Sequence, residues 1–213
     1  MTRKELKEQA KQNLRGNWKW AVLTVLPIWI ITMIGQYLIK KQNVNYSVTL
    51  FGSIILIVAT FTTISLAISF LHFNDSLGKT HEKPIKSAFK VYDTKYLPDE
   101  FATFILFTFY QFLWTLLLII PGIIKGYAYA MVPYITADLI DSDQTVNPTK
   151  VVEASDKLMK GHKMDLFILR LSFIGWDILA ACTLGIGLLW LAPYRNSTYA
   201  IFYRKLAGNK FRQ

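Results

Sequence analysis

The stretch FATFILFTFYQFLWTLLLIIPGIIKGYAYAMVPYITA, Phe101 to Ala137, runs for 37 residues with a single charge, Lys125. As one helix it would be roughly 55 Å long at 1.5 Å per residue, against a bilayer hydrocarbon core of roughly 30 Å. Pro121-Gly122 falls near its middle, and that pair breaks or turns a helix. Two membrane crossings joined by a tight turn at Pro121-Gly122 therefore fit the stretch better than one.

The pattern continues in both directions. Upstream, Ala21 to Ile39 and Val48 to Leu71 contain no ionisable side chain. Downstream, Leu166 to Ala181 is apolar apart from Arg170 and Asp177. Thr183-Leu184-Gly185-Ile186-Gly187 supplies a turn, and a last apolar run reaches about Tyr203. In a chain of 213 residues, such runs leave too little polar sequence to cover them in water. The predicted fold is all-α: a polytopic helical membrane protein with about six transmembrane helices arranged as three hairpins in one membrane domain.

The net charge of +10 supports this count. With six spans and the N-terminus inside, the cytoplasmic regions are the N-terminus, residues 74–100, residues 139–165 and the C-terminus. They hold 19 of the 24 lysines and arginines, as the positive-inside rule demands. Lys40 and Lys41 fall outside, and Lys125 is expected to snorkel near the outer turn. Both termini are placed in the cytoplasm. The first twenty residues carry six basic side chains and no small-x-small cleavage site, so they do not read as a cleavable signal. The basic blocks abut apolar runs, which points to anionic lipid headgroups rather than nucleic acid.

Each cytoplasmic block ahead of a hairpin has the spacing of an amphipathic helix. Leu6, Ala10 and Leu14 form one apolar face; Ile85, Ala88, Phe89 and Tyr92 after Pro84 form another. Val151, Val152, Ser155, Leu158 and Met159 after Pro148 form the third. Lysines on the opposite faces suit helices lying in a membrane interface. Short strings also recur: Pro84-Ile85-Lys86 with Pro148-Thr149-Lys150, and Val132-Pro133-Tyr134 with Ala192-Pro193-Tyr194. The chain thus reads as three units, approximately 1–73, 74–140 and 141–213, each an interfacial helix followed by a hairpin.

Several strings are more particular than composition requires. They are Pro121-Gly122-Ile123-Ile124-Lys125-Gly126-Tyr127, Leu158-Met159-Lys160-Gly161-His162-Lys163, Leu171-Ser172-Phe173-Ile174-Gly175-Trp176 and Thr183-Leu184-Gly185-Ile186-Gly187-Leu188-Leu189-Trp190. With Leu14-Arg15-Gly16-Asn17-Trp18 near the start, they resemble a Gram-positive bacterial integral membrane protein family, domain of unknown function 975. The resemblance implies a multi-pass location in the bacterial cell membrane. It implies no activity and supplies no catalytic residues.

Charge inside an apolar span is costly and is by default a functional signal. Arg170, Asp177, Arg195 and Asn196 are accordingly the candidate intramembrane polar site, lining a polar pathway or holding an anionic headgroup or peptide carboxylate. The competing reading has Arg170 snorkelling and Asp177 pairing with Arg195 to lock the bundle. Gly122, Gly126 and Ala130 form a small-residue ladder for close helix packing. Tyr127, Tyr129 and Tyr134, with Trp18, Trp20 and Trp190, read as interface anchors. Asp138, Asp141 and Asp143 near His162 could bind a cation, but a solvated helix end explains them more simply. His72, His81 and His162 lack metal-ligand spacing, and Cys182 reads as a packing residue. No catalytic, cofactor or metal motif appears, so an enzyme is not expected. The expected function is a non-enzymatic membrane protein acting on lipid or on a membrane-active peptide or protein partner, in an accessory, immunity or envelope role. The alternative is a small transporter or channel subunit with an intramembrane polar site.

Overall fold

The computed structural model describes residues 2–40, 46–79 and 82–212; Lys41 and His81 lie outside them. All regular structure among the described residues is helical. The elements are α1 (Arg3–Leu14), α2 (Trp18–Lys40), α3 (Tyr46–Asp75), α4 (Pro84–Ala88), a 3-10 turn (Lys90–Tyr92), α5 (Leu97–Leu117) and α6 (Ile119–Ala128). They continue with α7 (Val132–Asp141), α8 (Pro148–Leu158), α9 (Lys163–Leu171), α10 (Ile174–Cys182) and α11 (Leu188–Ala207). Three helices are long and apolar enough to cross a membrane: α2, α3 from Ser47 to Asp75, and α5.

The short helices start where the sequence says they should. Thr2 and Glu5 close a reciprocal capping box on α1, which buries Leu6, Ala10 and Leu14. The Asn147 side chain accepts from the Lys150 N–H, and Pro148 opens α8, which buries Val151, Val152 and Ser155. The predicted amphipathic helix after Pro84 is the exception: it stops after one turn at Ala88. Two serines one turn apart on α3 explain this. Ser69 Oγ donates to the Ser87 carbonyl at 2.8 Å, and the Val91 N–H donates to Ser65 Oγ at 2.9 Å. Those are the two backbone groups a continuing helix would join to each other. Ile85, expected on the buried face, is consequently exposed.

The long apolar stretch also turns earlier than expected. Leu118 is extended (φ −159°, ψ 138°), and Pro121 lies in the first turn of the returning helix. Proline lacks the N–H that a first turn leaves without an acceptor, so it suits a helix start. The turn is therefore not at Pro121-Gly122. The run that follows is divided again by the turn at Tyr129–Met131, and the run 163–182 divides at Ser172-Phe173. There Lys7 from α1 donates to the freed Ser172 carbonyl at 3.0 Å and lies 4.0 Å from the centre of the Phe173 ring.

The helices pack as antiparallel pairs. Gly35 of α2 lies against Ile55 and Leu56 of α3, while Gly52 meets Leu38 and Ile39. A Cβ on Gly122 of α6 would come 2.9 Å from the Thr115 Cα of α5, and one on Gly187 would come 2.9 Å from the Ala180 Cα of α10. Both positions need hydrogen as the side chain. Between pairs the packing is cyclic: α4 lies on α2, α8 on α5, and α1 on α11. The distal parts of the pairs expose large apolar side chains, among them Ile34, Phe51, Ile54, Phe112, Leu116, Ile120, Ile178 and Leu184. The C-terminal half of α3, by contrast, is enclosed, with Ile68, Phe70 and Leu71 fully buried.

Candidate functional site

The ends of α3, α7 and α11 bring four charges together. Arg204 donates to both carboxylate oxygens of Asp75 at 2.8 Å and to both of Asp138 at 2.8 and 2.9 Å. Arg212 reaches the same two carboxylates, and the Tyr203 hydroxyl adds a 2.7 Å bond to Asp138, whose side chain is wholly buried. Two guanidinium groups thus balance two carboxylates, and Asp138 Oδ1 and Oδ2 each accept more than one donor. The set is neutral and saturated, so it holds helices together and leaves nothing for a ligand.

Asp138, Asp141 and Asp143, with His162, go to separate partners. Asp138 belongs to the cluster just described, and Asp141 accepts from the Tyr96 hydroxyl and bonds His72. Asp143 faces Lys95 at 3.3 Å, and His162 bonds Asp165 at 3.0 Å. They do not converge on one point where a cation could sit. Cys182 is exposed at the end of α10 rather than packed. Lys125, expected to snorkel, bonds Asp156 of α8 at 2.9 Å, and Lys163 bonds the same carboxylate at 2.9 Å. Gly122 faces Thr115, and Gly126 faces Gln111 at the edge of van der Waals contact; Ala130 lies in the turn between α6 and α7. The Gln111 side chain donates to the Gly122 carbonyl at 2.8 Å, joining α5 to α6.

Arg170, Asp177, Arg195 and Asn196 all line one cavity of about 560 Å³, together with Thr63, Tyr127 and Tyr199. Its walls come from α3, α6, α9, α10 and α11. Arg195 Nη1 lies 3.2 Å from Asp177 Oδ1, with both side chains about one-third exposed (34% and 37%). Arg170 is placed differently. Its guanidinium carbon lies 4.9 Å from the centre of the Tyr127 ring and 5.6 Å from that of Tyr199, and no carboxylate pairs with it among the described residues. Two tyrosine rings lie within cation–π distance of the guanidinium. Counting Arg170, Arg195 and Asp177, the cavity carries one positive charge in excess. A second cavity of about 280 Å³ adjoins it and shares Thr63, Arg170, Asn196 and Tyr199.

Sequence reasoning selected the four polar residues of this cavity because charge in an apolar run stands out. Tyr127 reads from the sequence as an interface anchor, and nothing in the sequence marks its place in this cavity. Thr63 carried no signal.

Comparison with known proteins gives one result. No curated protein and no solved structure matches the chain. One family model matches it twice, over residues 1–125 and again over residues 115–210. With nearly the whole chain matched, the protein belongs to the family described as Protein of unknown function (DUF975).

Proposed function

We propose that the protein is a non-enzymatic, multi-pass protein of the bacterial cell membrane that binds the anionic group of a lipid or of a membrane-active peptide at Arg170. In this reading the three antiparallel pairs cross the bilayer as six spans, with both termini on the cytoplasmic side. The apolar exposure of the distal parts of the pairs and the basic connectors support it. Helix α6 has 10 residues, about 15 Å, so the fourth crossing needs α7 as well.

The observation that carries the binding role is an Arg170 guanidinium set against two tyrosine rings, with no carboxylate partner among the described residues, in a cavity with a net positive charge. Arg170 itself is exposed on α9, within an apolar run where an unpaired cation is costly if the run spans a bilayer. Here the neighbouring carboxylate, Asp177, is taken by Arg195. The test is binding of the purified protein to nanodiscs of graded phosphatidylglycerol content and to a cationic and an anionic membrane-active peptide. Wild type should bind the anionic ligand, and Arg170→Gln should lose about tenfold in affinity, the scale of one charge-assisted hydrogen bond. Equal binding by both forms would refute the assignment of Arg170.

The shared residues of the two cavities favour one alternative, a small transporter or channel subunit in which Arg170 and Asn196 lie on a continuous path. Flux in proteoliposomes that Asp177→Asn abolishes would select that alternative.

A further inference from the structure

Away from the polar cavity, three of the six tryptophans gather around one groove. Trp18 at the start of α2, Trp176 on α10 and Trp190 on α11 line a cavity of about 410 Å³ together with Leu179, Leu191 and Tyr194. Gly187 and Ala180 form its floor, where the close approach of α10 and α11 leaves no room for a larger side chain. Trp176 and Trp190 are more than half exposed, at 58% and 51%. Tryptophans that only anchor a protein stand around its perimeter at one depth. These three instead line a single cavity together with α1 and the turn between α10 and α11.

Among the described residues, Lys11 is the one charged residue lining the groove, and it sits at the α1 end. Its ammonium lies 5.9 Å from the centre of the Tyr194 ring, and no carboxylate pairs with it among the described residues. An apolar trough gains little from lipid tails over the bulk bilayer, so selectivity must come from the charged end. We propose that this groove is a binding site for one anionic phospholipid of the cytoplasmic leaflet, its phosphate at Lys11 and one acyl chain along Trp18, Trp176 and Trp190. The charge at one end and the apolar walls beyond it match the two parts of that molecule. The site is separate from the Arg170 cavity and does not depend on the role given to it.

The test reads tryptophan fluorescence of the full chain in phosphatidylcholine nanodiscs. One set contains a small fraction of phosphatidylglycerol brominated on its acyl chain; the other contains the same fraction of brominated phosphatidylcholine. The anionic lipid should quench at about fivefold lower concentration, the scale of one lysine beside a charged headgroup. Lys11→Gln, checked for unchanged helix content, should remove that preference, as should the combined Trp18→Phe, Trp176→Phe and Trp190→Phe variant. Equal quenching by the two lipids overturns the proposal. So does a preference that survives the tryptophan replacements, which would place the lipid elsewhere on the basic face. Quenching by a brominated free fatty acid but not by the phospholipid overturns it as well. So does the absence of quenching by either lipid, the result if a second copy of the chain filled the groove.

Discussion

Two groups of charges in this molecule use the same residue types to opposite ends. At the ends of α3, α7 and α11, Asp75 and Asp138 face Arg204 and Arg212 with every charge matched. Between α9, α10 and α11, the one carboxylate, Asp177, pairs with Arg195, and Arg170 rests beside tyrosine rings instead. A matched set stabilises its own geometry and has no capacity left. An unmatched cation held in place by aromatic faces keeps its hydrogen-bond donors for something else. The lesson is that satisfaction, rather than the mere presence of charge, separates a brace from a binding site.

This contrast is sharpest at Asp138. Replacing it with Asn leaves two guanidinium groups with one carboxylate, and one amide oxygen where two carboxylate oxygens accepted from Arg204, Arg212 and Tyr203. The expected loss is about 3 kcal/mol of stability, the low end for breaking a buried pair, because both arginines are part-exposed. Denaturant titration of the detergent-solubilised protein measures it. A smaller effect belongs to Asp156, whose side chain is 36% exposed. Burial alone would raise its carboxyl, but hydrogen bonds from Lys163 and then Lys125 outweigh that and hold it below the usual carboxylate range. A folded-state value below the unfolded one means stability present at neutral pH and lost as acid protonates the folded form. Discounted for solvent, the loss is about 1 kcal/mol, and Asp156→Asn should remove this part of the acid sensitivity. The smallest effect is expected at Asp177, where Asn should cost about 0.5 kcal/mol because the pair with Arg195 is one-third exposed. If Asp177→Asn destabilises as much as Asp138→Asn, the contrast between the two groups fails.

Much of the architecture is legible in the residues, for reasons that differ by element. The apolar runs locate α2, α3 and α5 because each is long, and length alone separates such helices from buried core segments. The start of α8 is legible because Pro148 marks it locally. The truncation of α4 is not, since it depends on Ser65 and Ser69 meeting a backbone about twenty residues away. The break at Leu118 has no glycine or proline to mark it, and the nearby Pro121-Gly122 points three residues too far along. For the candidate site, Arg170, Asp177, Arg195 and Asn196 stand out individually, and the structure lines them along one cavity. The bracing cluster stays hidden because its members are up to 137 residues apart and look like ordinary ends of basic connectors.

The cyclic packing has a consequence for the order in which the chain matures. Helix α1 is synthesised well before α11, yet the surface that covers Leu6, Ala10 and Leu14 includes α11. In the membrane arrangement proposed above, α1 waits at the bilayer surface with its apolar face in the lipid headgroups until α11 emerges. The ring shuts only then. Ribosomes stalled before residue 188 would hold nascent chains whose α1 is open to protease, and those stalled beyond residue 207 would hold chains whose α1 is shielded.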